Sequence, residues 1–165
     1  MSTGPDFEDW VAAHGQRLLR TAWLLTGDRS LAEDLVQSAL LRCWPRWTRI
    51  RRMDNVDAYV GKVMLSVYLS SQRRRWHAEQ PTAQVPEHET SPDPDVDDRH
   101  ALITALGRLP PGQRAVIVLR FAEDLSEAQT ARELGCTIGT VKSQAARGLR
   151  ALRQDATLLP ETDSR

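Results

Sequence analysis

The stretch SEAQTARELGCTIGTVKSQAA, which runs from Ser126 to Ala146, decides the fold of the second half of this chain. Ser126 and Gln129 have the spacing of a capping box, which begins a helix. Gly135 supplies the left-handed backbone conformation that a tight turn after that helix requires. Thr137 is the expected N-cap of a second helix. The stretch therefore predicts two helices joined by a tight turn.

The interior of this helix pair can also be predicted. Ala131 is small where the second helix has to cross closely, and Val141 can fill the space between the two helices. On a helical wheel of about 100° per residue, the apolar side of the second helix carries Ile138, Val141, Ala145, Leu149 and Leu152. Its opposite side carries Thr140, Ser143, Arg147 and Arg150, with Lys142 and Gln144 on the flanks.

A helix that reads DNA needs this division, because its inner face packs while its outer face meets base edges and phosphates. Residues 142–153 contain four basic side chains and no acidic one. We therefore interpret Glu127–Ala146 as a DNA-binding helix-turn-helix. From this segment alone, a helical hairpin with an ordinary solvated basic face stays open as the alternative.

The first half of the chain predicts three helices. The first begins after the N-cap Asp6 and ends at Gly27, and the second extends from about Asp28 to Cys43, where Pro45 stops it. The third extends from about Asn55 to Arg75. Their expected core residues recur at helical spacing and are Phe7, Val11, Leu18, Ala22, Leu25, Ala32, Leu35, Val36, Ala39, Leu40, Cys43, Val56, Val60, Val63, Met64 and Val67. No stretch alternates as a strand does, so the predicted fold class is all-α.

An acidic, proline-rich segment, residues 77–98, separates the two halves. It contains four prolines and hardly any large apolar residue, so it cannot bury enough surface to offset its ordering entropy. We predict a flexible linker there. Helical periodicity resumes around Arg99, breaks at Pro110 and Pro111, and is lost after Arg153, which leaves residues 154–165 as a tail.

The formal net charge is zero, from 22 basic and 22 acidic residues, but the charges are unevenly distributed. Residues 42–76 hold nine basic side chains and two acidic ones, whereas residues 81–100 hold six acidic side chains and one arginine. A neutral chain with such blocks can still present a basic surface to phosphates. The average charge therefore does not exclude a nucleic-acid partner.

The basic block is interleaved with aromatic rings. Its arginines are Arg46, Arg49, Arg51, Arg52, Arg73, Arg74 and Arg75, and its rings belong to Trp44, Trp47, Tyr68 and Trp76. Arginines bind a nucleic-acid backbone, and aromatic rings stack on unpaired bases. Trp10 and Trp23, inside the first helix, are predicted to be core residues. For Trp44 and Trp47, core packing and DNA contact stay equally open.

Cysteine usage and hydropathy point to an intracellular protein. Cys43 and Cys136 lie far apart without a CxxC partner, which favours free thiols in a reducing cytoplasm. The longest apolar run, Ala115–Leu119, is far too short to span a membrane. The N-terminus lacks the pattern of a secretion signal. We expect a cytoplasmic protein that does not bind a membrane.

Three stretches resemble the bacterial RNA polymerase sigma factors of the extracytoplasmic-function (ECF) group, and in particular an actinobacterial sigma-E-like subset. They are AEDLVQSALLRCW (Ala32–Trp44), LPPGQRAVIVLRF (Leu109–Phe121) and GCTIGTVKSQAARGLRALR (Gly135–Arg153). The resemblance implies sigma region 2 over residues 5–76 and sigma region 4 over residues 99–153. The implied function is to direct core RNA polymerase to specific promoters, with no catalysis by the chain itself.

The resemblance also implies residue roles. Docking on the clamp helices of the largest polymerase subunit falls to Asp34, Leu35, Val36, Gln37, Leu40 and Trp44. Promoter melting matches residues 46–57, and the DNA contacts implied for melting and minus-ten reading are Arg46, Trp47, Arg49, Arg51, Arg52, Ser66, Ser70, Arg73 and Arg74. Minus-thirty-five reading falls to Thr137, Thr140, Lys142, Ser143, Gln144 and Arg147. The flap of the second-largest subunit and an anti-sigma protein are further implied partners, the free chain is expected to be a monomer, and no cofactor or metal is implied.

Four positions depart from the family pattern. Ser66 and Ser70 stand where asparagine and aspartate are common, Pro45 interrupts a helix that is usually continuous, and Gln144 replaces a common basic residue. These departures concern which promoter sequence is preferred.

Two other functions, a DNA-binding regulator and a metal-dependent enzyme, could use parts of this sequence. A DNA-binding regulator that never contacts polymerase would share the helix-turn-helix but would have no reason to carry the Ala32–Trp44 stretch. A metal-dependent enzyme could use Asp93, Asp95, Asp97 and Asp98, whose spacing resembles the start of a calcium loop. Asp98 occupies the position of the turn glycine, however, and Thr104 that of the bidentate glutamate. The four histidines form no ligand pair, and no phosphate loop or nucleophile elbow occurs.

Overall fold

In the computed structural model, residues 4–77, 94–155 and 157–158 are described, with side chains described for all of these except 75–77 and 94–97. The chain divides into two compact units, residues 1–83 and 84–165. Within the described ranges the secondary structure is helical and contains no strand. The predicted all-α fold with two helical domains is confirmed.

The first unit is built from helices α1 (Phe7–Thr26), α2 (Arg29–Cys43), α3 (Trp47–Ile50) and α4 (Val56–His77). The predicted signals start and stop them. Asp6 caps α1, Gly27 ends it in the left-handed conformation with φ 73°, and Asp28 caps α2 by accepting a hydrogen bond from the Leu31 amide at 2.8 Å. The turn between α1 and α2 is therefore only two residues long.

Helix α2 packs against both α1 and α4 and forms the centre of the first unit. Its buried stripe is Ala32, Leu35, Ala39 and Cys43, as predicted. Ala22 of α1 and Ala32 and Ala39 of α2 are fully buried. Such small side chains let helix backbones approach closely and leave larger residues to fill the space beside the crossings.

Pro45 breaks the chain where the sequence predicted. Helix α2 ends at Cys43, a 3₁₀ turn covers Trp44–Arg46, and α3 begins at Trp47. Proline has no amide hydrogen and its ring clashes with the preceding helical turn, so α2 cannot continue through it. The break lies between the two neighbouring tryptophans.

The second unit contains α5 (Pro94–Gly107), α6 (Pro111–Ile117), a π-helical turn (Val118–Ala122), α7 (Glu127–Leu134) and α8 (Ile138–Gln154). Helix α8 packs against both α6 and α7. The expected start of helical structure near Arg99, and with it the end of the linker at residue 98, was wrong, because α5 begins at Pro94. A proline in the first helical turn followed by acidic residues is a helix-starting pattern. Residues 78–93 of the predicted linker and most of the tail lie outside the described residues.

Two arginine side chains, Arg108 and Arg114, bind groups at the ends of helices in the second unit. The Arg114 guanidinium donates to the carbonyl oxygens of Leu106 at 2.8 Å and Leu109 at 2.9 Å, so α6 holds the end of α5. Arg108 pairs with Asp155, just after α8, at 2.7 Å. Hydrogen bonds from Thr157, and then the Arg108 guanidinium, hold the pKa of Asp155 below its usual value. This contact therefore persists at neutral pH and weakens as the pH falls through that lowered pKa.

Gly148 allows α8 to lie close against α6. It is buried, and a Cβ atom at this position would lie 2.9 Å from Cγ1 and 3.1 Å from Cδ1 of Ile117. Real Cβ atoms essentially never approach a neighbour so closely. The crossing that sets the position of α8 therefore depends on the missing side chain.

We predict that Gly148→Ala destabilises the second unit. Overpacking costs about 1–3 kcal/mol, and the gain in helix propensity offsets only about 1 kcal/mol of it. Hydrogen–deuterium exchange of residues 94–158 is the suitable measurement, because all five tryptophans lie in the first unit and fluorescence reports only on that unit.

Two further variants serve as controls for this prediction. Gly139→Ala changes an exposed position of the same helix, where no atom lies closer than 3.8 Å to the added Cβ. It should not destabilise the second unit, because the added methyl group meets no clash. In an Ile117→Ala background, Gly148→Ala should lose its cost, because the clashing atoms are gone. Stabilisation by Gly148→Ala in the wild-type chain would contradict the assigned crossing.

Candidate polymerase and promoter DNA interfaces

The turn between α7 and α8 has the geometry that the sequence predicted. The Ser126 amide donates to Oε1 of Gln129 at 2.9 Å, and the Gln129 amide donates to Oγ of Ser126 at 3.1 Å, which completes a capping box. Gly135 ends α7 in the left-handed region with φ 67°. The Thr140 amide donates to Oγ1 of Thr137, the N-cap of α8, at 3.1 Å. Both helices of the pair are thus closed by short local hydrogen bonds.

A small apolar cluster holds α6, α7 and α8 together. Val116, Ala131 and Val141 form its buried centre, and Leu134, Cys136 and Ala145 pack around it. Val141 is fully buried, which confirms that it fills the space between the helices. The inner face of α8 is therefore occupied by packing, and the opposite face is left for a ligand.

The outward face of α8 is basic and exposed. Lys142, Ser143, Arg147 and Arg150 are all exposed, as expected from the helical wheel. The Ser143 hydroxyl donates to the Gly139 carbonyl oxygen at 3.0 Å, so it can only accept from an approaching group. The hydroxyl oxygens of Thr137 and Thr140 are 2.9 Å apart and hydrogen-bond each other. The Thr137 hydroxyl is thus occupied by capping α8 and by this contact with Thr140.

Ile138 does not follow the helical-wheel prediction, whereas Gln144 lies on the flank where the wheel placed it. Ile138 was placed on the apolar side, but in the first turn of α8 it is 46% exposed. Gln144 was placed among the DNA readers, but its side chain is only half exposed and its amide nitrogen lies beside Gly112 in the first turn of α6. Gln144 therefore does not belong to the fully exposed face.

The arginine-rich block of the first unit also has an exposed surface. Arg46, Arg49, Arg52, Ser66, Arg73 and Arg74 are exposed, whereas Arg51 and Ser70 are half-buried. Residues 58–75 contain no acidic side chain, so the outward row of α4 offers phosphate only neutral and basic groups. The side chains of Arg75 and Trp76 lie outside the described residues.

The structure distinguishes the roles of Trp44 and Trp47. Trp47 is 5% exposed, its ring lies between those of Phe7 and Trp10, and its indole N–H donates to the Pro5 carbonyl oxygen at 3.3 Å. Trp44 is 58% exposed and touches only the edge of Phe7, with ring centroids 4.8 Å apart, among the described aromatic rings. The assignment of Trp47 as a DNA contact was wrong, because a ring buried on both sides cannot stack on a base.

The exposed side of α2 brings together polar and apolar groups. Asp34, Gln37 and Trp44 are exposed, and Val36 and Leu40 are half-buried. Leu35 is 6% exposed and belongs to the core, so its assignment to a docking surface was wrong. Leu41, which the sequence analysis missed, is 72% exposed. The available signal was an apolar residue outside the core stripe, four residues after Gln37 and three before Trp44.

A groove lies along the same side, between α2 and α4. Its volume is about 240 Å³, and it is open to solvent. Asp34 and Ser38 line its α2 wall, and Ser71, Gln72 and Arg74 line its α4 wall. The groove thus carries the Asp34 carboxylate and the Arg74 guanidinium on opposite walls. We call the groove and the exposed residues Gln37, Leu41 and Trp44 together the α2 face.

Both cysteines are free thiols. Burial raises the pKa of the Cys43 thiol, and Cys136 is half-buried in the turn before α8. Among the described residues, no group of three or more histidine, cysteine, aspartate or glutamate side chains is placed to hold a metal. No helix in the described ranges is long and apolar enough to cross a bilayer. The side chains of Asp93, Asp95 and Asp97 lie outside the described residues.

Comparison with known families matches both units. Residues 10–78 match the family described as "Sigma-70 region 2", and residues 99–152 match "Sigma-70, region 4". The first match covers the α2 face and the arginine-rich block, and the second covers the helix-turn-helix.

Relatives match over nearly the whole chain. The RNA polymerase sigma-E factor of Streptomyces coelicolor is 40% identical over 154 residues, which cover 91% of this chain and 85% of the relative. The ECF RNA polymerase sigma factor SigL of Mycobacterium tuberculosis is 34% identical over 146 residues, which cover 85% of this chain and 82% of the relative. The sigma factor RpoE of Bartonella quintana, solved in complex with the anti-sigma factor NepR, superposes with a TM-score of 0.68 at 27% identity and covers 90% of this chain and 95% of that one.

We predict that alanine substitutions at Trp44 and Trp47 have different effects on the free energy of unfolding. Trp47→Ala should lower the free energy of unfolding by about 3–5 kcal/mol, because it empties a buried site. Trp44→Ala should cost less than about 1 kcal/mol, as is usual for exposed positions. Urea denaturation followed by far-ultraviolet circular dichroism measures both. Similar costs for the two variants would contradict the assignment of Trp44 to a surface.

Proposed function

The chain belongs to the sigma-70 family of RNA polymerase sigma factors, and from that membership we propose how its two helical units share the recognition of a promoter. As a sigma factor it binds core RNA polymerase and directs it to promoters. The observation that carries the division of labour is that each unit presents an exposed surface that its own core packing does not use. In one unit this is the outward face of α8, and in the other it is the α2 face together with the basic side of α4.

In the second unit, α8 would enter the major groove at the minus-thirty-five element. Lys142, Arg147 and Arg150 are exposed guanidinium or ammonium groups on one side of a helix that α6 and α7 hold from behind. A guanidinium can bind a guanine edge or a phosphate with two hydrogen bonds. Ser143 would add an acceptor, because its hydroxyl hydrogen is already used within α8.

In the first unit, the α2 face would dock on the clamp helices of the largest polymerase subunit. Leu41 and Trp44 provide exposed apolar anchors, and large exposed apolar groups rimmed by polar ones are typical of interfaces. Asp34 and Gln37 beside them provide the polar rim. Leu41 would contact the clamp helices in place of Leu35, because Leu41 is exposed and Leu35 is buried.

The basic side of the first unit would open and read the minus-ten element. The exposed arginines of residues 46–52 and 73–74 can hold a strand backbone electrostatically. Ser66 and Ser70 offer short hydroxyl groups where longer side chains are common in the family. We therefore expect the minus-ten preference to differ from that of family members with asparagine and aspartate there.

Three further aspects follow from the family and are proposed on that ground. The chain itself performs no catalysis, since nucleotide addition belongs to the polymerase. It acts where the polymerase acts, in the cytoplasm. An anti-sigma protein is a further expected partner, because the Bartonella quintana relative was solved with one. The rival function, a DNA-binding regulator without polymerase, does not account for the α2 face.

Transcription with purified components tests the proposal. Core RNA polymerase from Streptomyces coelicolor is mixed with the chain and a library of random-sequence duplexes, and the templates that yield transcripts are selected and sequenced. We expect the selected templates to share two sequence motifs, one at the minus-thirty-five position and one at the minus-ten position. Binding of the chain to DNA without polymerase-dependent transcripts would favour the regulator instead.

We predict that Arg147→Ala weakens minus-thirty-five recognition and leaves polymerase binding intact. Loss of a bidentate contact should reduce promoter affinity about 10- to 100-fold, which corresponds to roughly 1–3 kcal/mol. The measurement is competition of holoenzyme between selected promoters with an intact or scrambled minus-thirty-five element. Arg99→Ala, an exposed arginine on α5, is the matched control. Equal discrimination by mutant and wild type would show that another face of the unit meets DNA.

We predict that Asp34→Lys combined with Gln37→Ala weakens binding to core polymerase without unfolding the first unit. Both side chains are exposed, so folding should hardly change. The measurement is competition with a labelled sigma factor for core polymerase. Glu8→Lys makes the same charge change at an exposed position of α1, about 200° around that helix from the buried Trp10, and should compete like the wild type. Undiminished competition by the double variant would place the docking surface elsewhere.

A further inference from the structure

Trp10 contacts both ends of the segment that joins α3 to α4. Its side chain is 2% exposed. On one side its ring packs against Trp47 of α3, with centroids 5.5 Å apart. On the other side its indole N–H donates to Oδ1 of Asp57, in the first turn of α4, at 3.2 Å. One residue of α1 therefore holds the chain just before and just after the segment Arg51–Asn55.

His14 lies beside the contact between Trp10 and Asp57. The imidazole of His14 stacks on the Trp10 ring, with centroids 4.6 Å apart and planes inclined by 16°. Its Nε2 atom lies 3.4 Å from the same Oδ1 of Asp57, and its Nδ1 atom lies 3.0 Å from the Trp10 carbonyl oxygen. The oxygen of Asp57 that accepts the Trp10 N–H thus also lies beside a ring nitrogen of His14. Because α2 lies between much of α1 and α4, this is a main link between those two helices.

The backbone before α1 supports the same segment. Pro5 accepts the indole N–H of Trp47 through its carbonyl oxygen. Gly4 has φ +120°, and a Cβ atom there would lie 2.5 Å from the Arg51 carbonyl oxygen. The residues that lead into α1 therefore lie directly against the start of the segment.

The segment itself has few bonds of its own. The amides of Arg52 and Met53 donate back to the end of α3, at 3.2 and 3.0 Å, and Asn55 caps α4 by accepting from the Ala58 amide at 3.0 Å. These hydrogen bonds tie each end of the segment to its neighbouring helix and do not cross the segment. The Nε atom of Arg51 is buried without a hydrogen-bond partner. The position of the segment depends on what holds its ends.

We propose that Trp10 is a positioning residue for promoter opening, which acts by holding Trp47 and Asp57 so that Arg51 and Arg52 meet the DNA strand in a fixed place. The inference rests on the proposed function of residues 46–57 as the melting segment. A segment held in place does not lose conformational freedom when it binds, so more of the binding free energy is available to separate the strands. Trp10 itself does not touch the DNA.

Trp10→Phe tests the proposal with little change in packing. Phenylalanine keeps an aromatic ring against Trp47 and His14 but removes the N–H that Asp57 accepts. The holoenzyme is formed with Streptomyces coelicolor core polymerase on a promoter selected by the wild-type chain, and opening is followed by the fluorescence of 2-aminopurine in the minus-ten element. Loss of a hydrogen bond to a carboxylate should slow opening about tenfold. On the same promoter with a pre-opened bubble, initiation should match the wild type.

Further variants separate positioning from a general loss of structure. Asp57→Ala should slow opening like Trp10→Phe, and Asp57→Asn, which keeps an oxygen acceptor, should open faster than Asp57→Ala. Trp23→Phe makes the same replacement thirteen residues further along α1, about 20 Å away, and should open at the wild-type rate. Wild-type opening by Trp10→Phe on the duplex overturns the proposal, and so does an equal loss on duplex and bubble. Failure of the wild-type chain itself to open any selected promoter would instead refute the proposed function.

Discussion

The close approach of helix backbones at small residues is the constraint on which both units depend. Ala22, Ala32 and Ala39 are fully buried in the first unit, and Gly148 allows α8 to approach α6 in the second. Units of this size can bury only a thin core. Because small residues fill the crossings, α2 and α8 each pack against two helices and still keep part of their surface exposed. The remaining faces of α2, α4 and α8 are then available for partners without loss of stability.

Local chemistry explains why the helix boundaries could be predicted so well. The capping box at Ser126, the N-cap at Thr137 and the left-handed residues Gly27 and Gly135 each depend on atoms within a few residues. Such signals act whatever the rest of the chain does. The break at Pro45 has the same local origin. The start of α5 at Pro94 differs from the expected start near Arg99, because its first turn has the acidic, proline-containing composition of a linker.

Long-range packing explains what the sequence could not decide. Trp44 and Trp47 stand three residues apart in one arginine-rich segment, yet Phe7 and Trp10, some forty residues earlier, bury one ring and leave the other exposed. Leu35 and Leu41 are both leucines of α2, and only the position of α1 and α4 makes one core and the other surface. The partial exposure of Gln144 also depends on another helix, because its side-chain amide lies beside Gly112 of α6. The residue roles implied by the resemblance therefore needed the structure for correction, while the predicted fold did not.

The two units solve the problem of presenting charge to DNA in different ways. In the second unit the basic side chains project from a helix whose ends are capped locally, so their spacing follows from helix geometry. In the first unit Arg51 and Arg52 lie between helices, and their spacing depends on contacts that α1 makes from a distance. A regular helix suits the reading of duplex DNA, whose groove geometry is constant. An irregular segment can follow a strand that leaves the duplex, provided that something outside it holds its ends. The tryptophan of α1, with the carboxylate at the start of α4, meets that requirement in a unit otherwise built on alanine crossings.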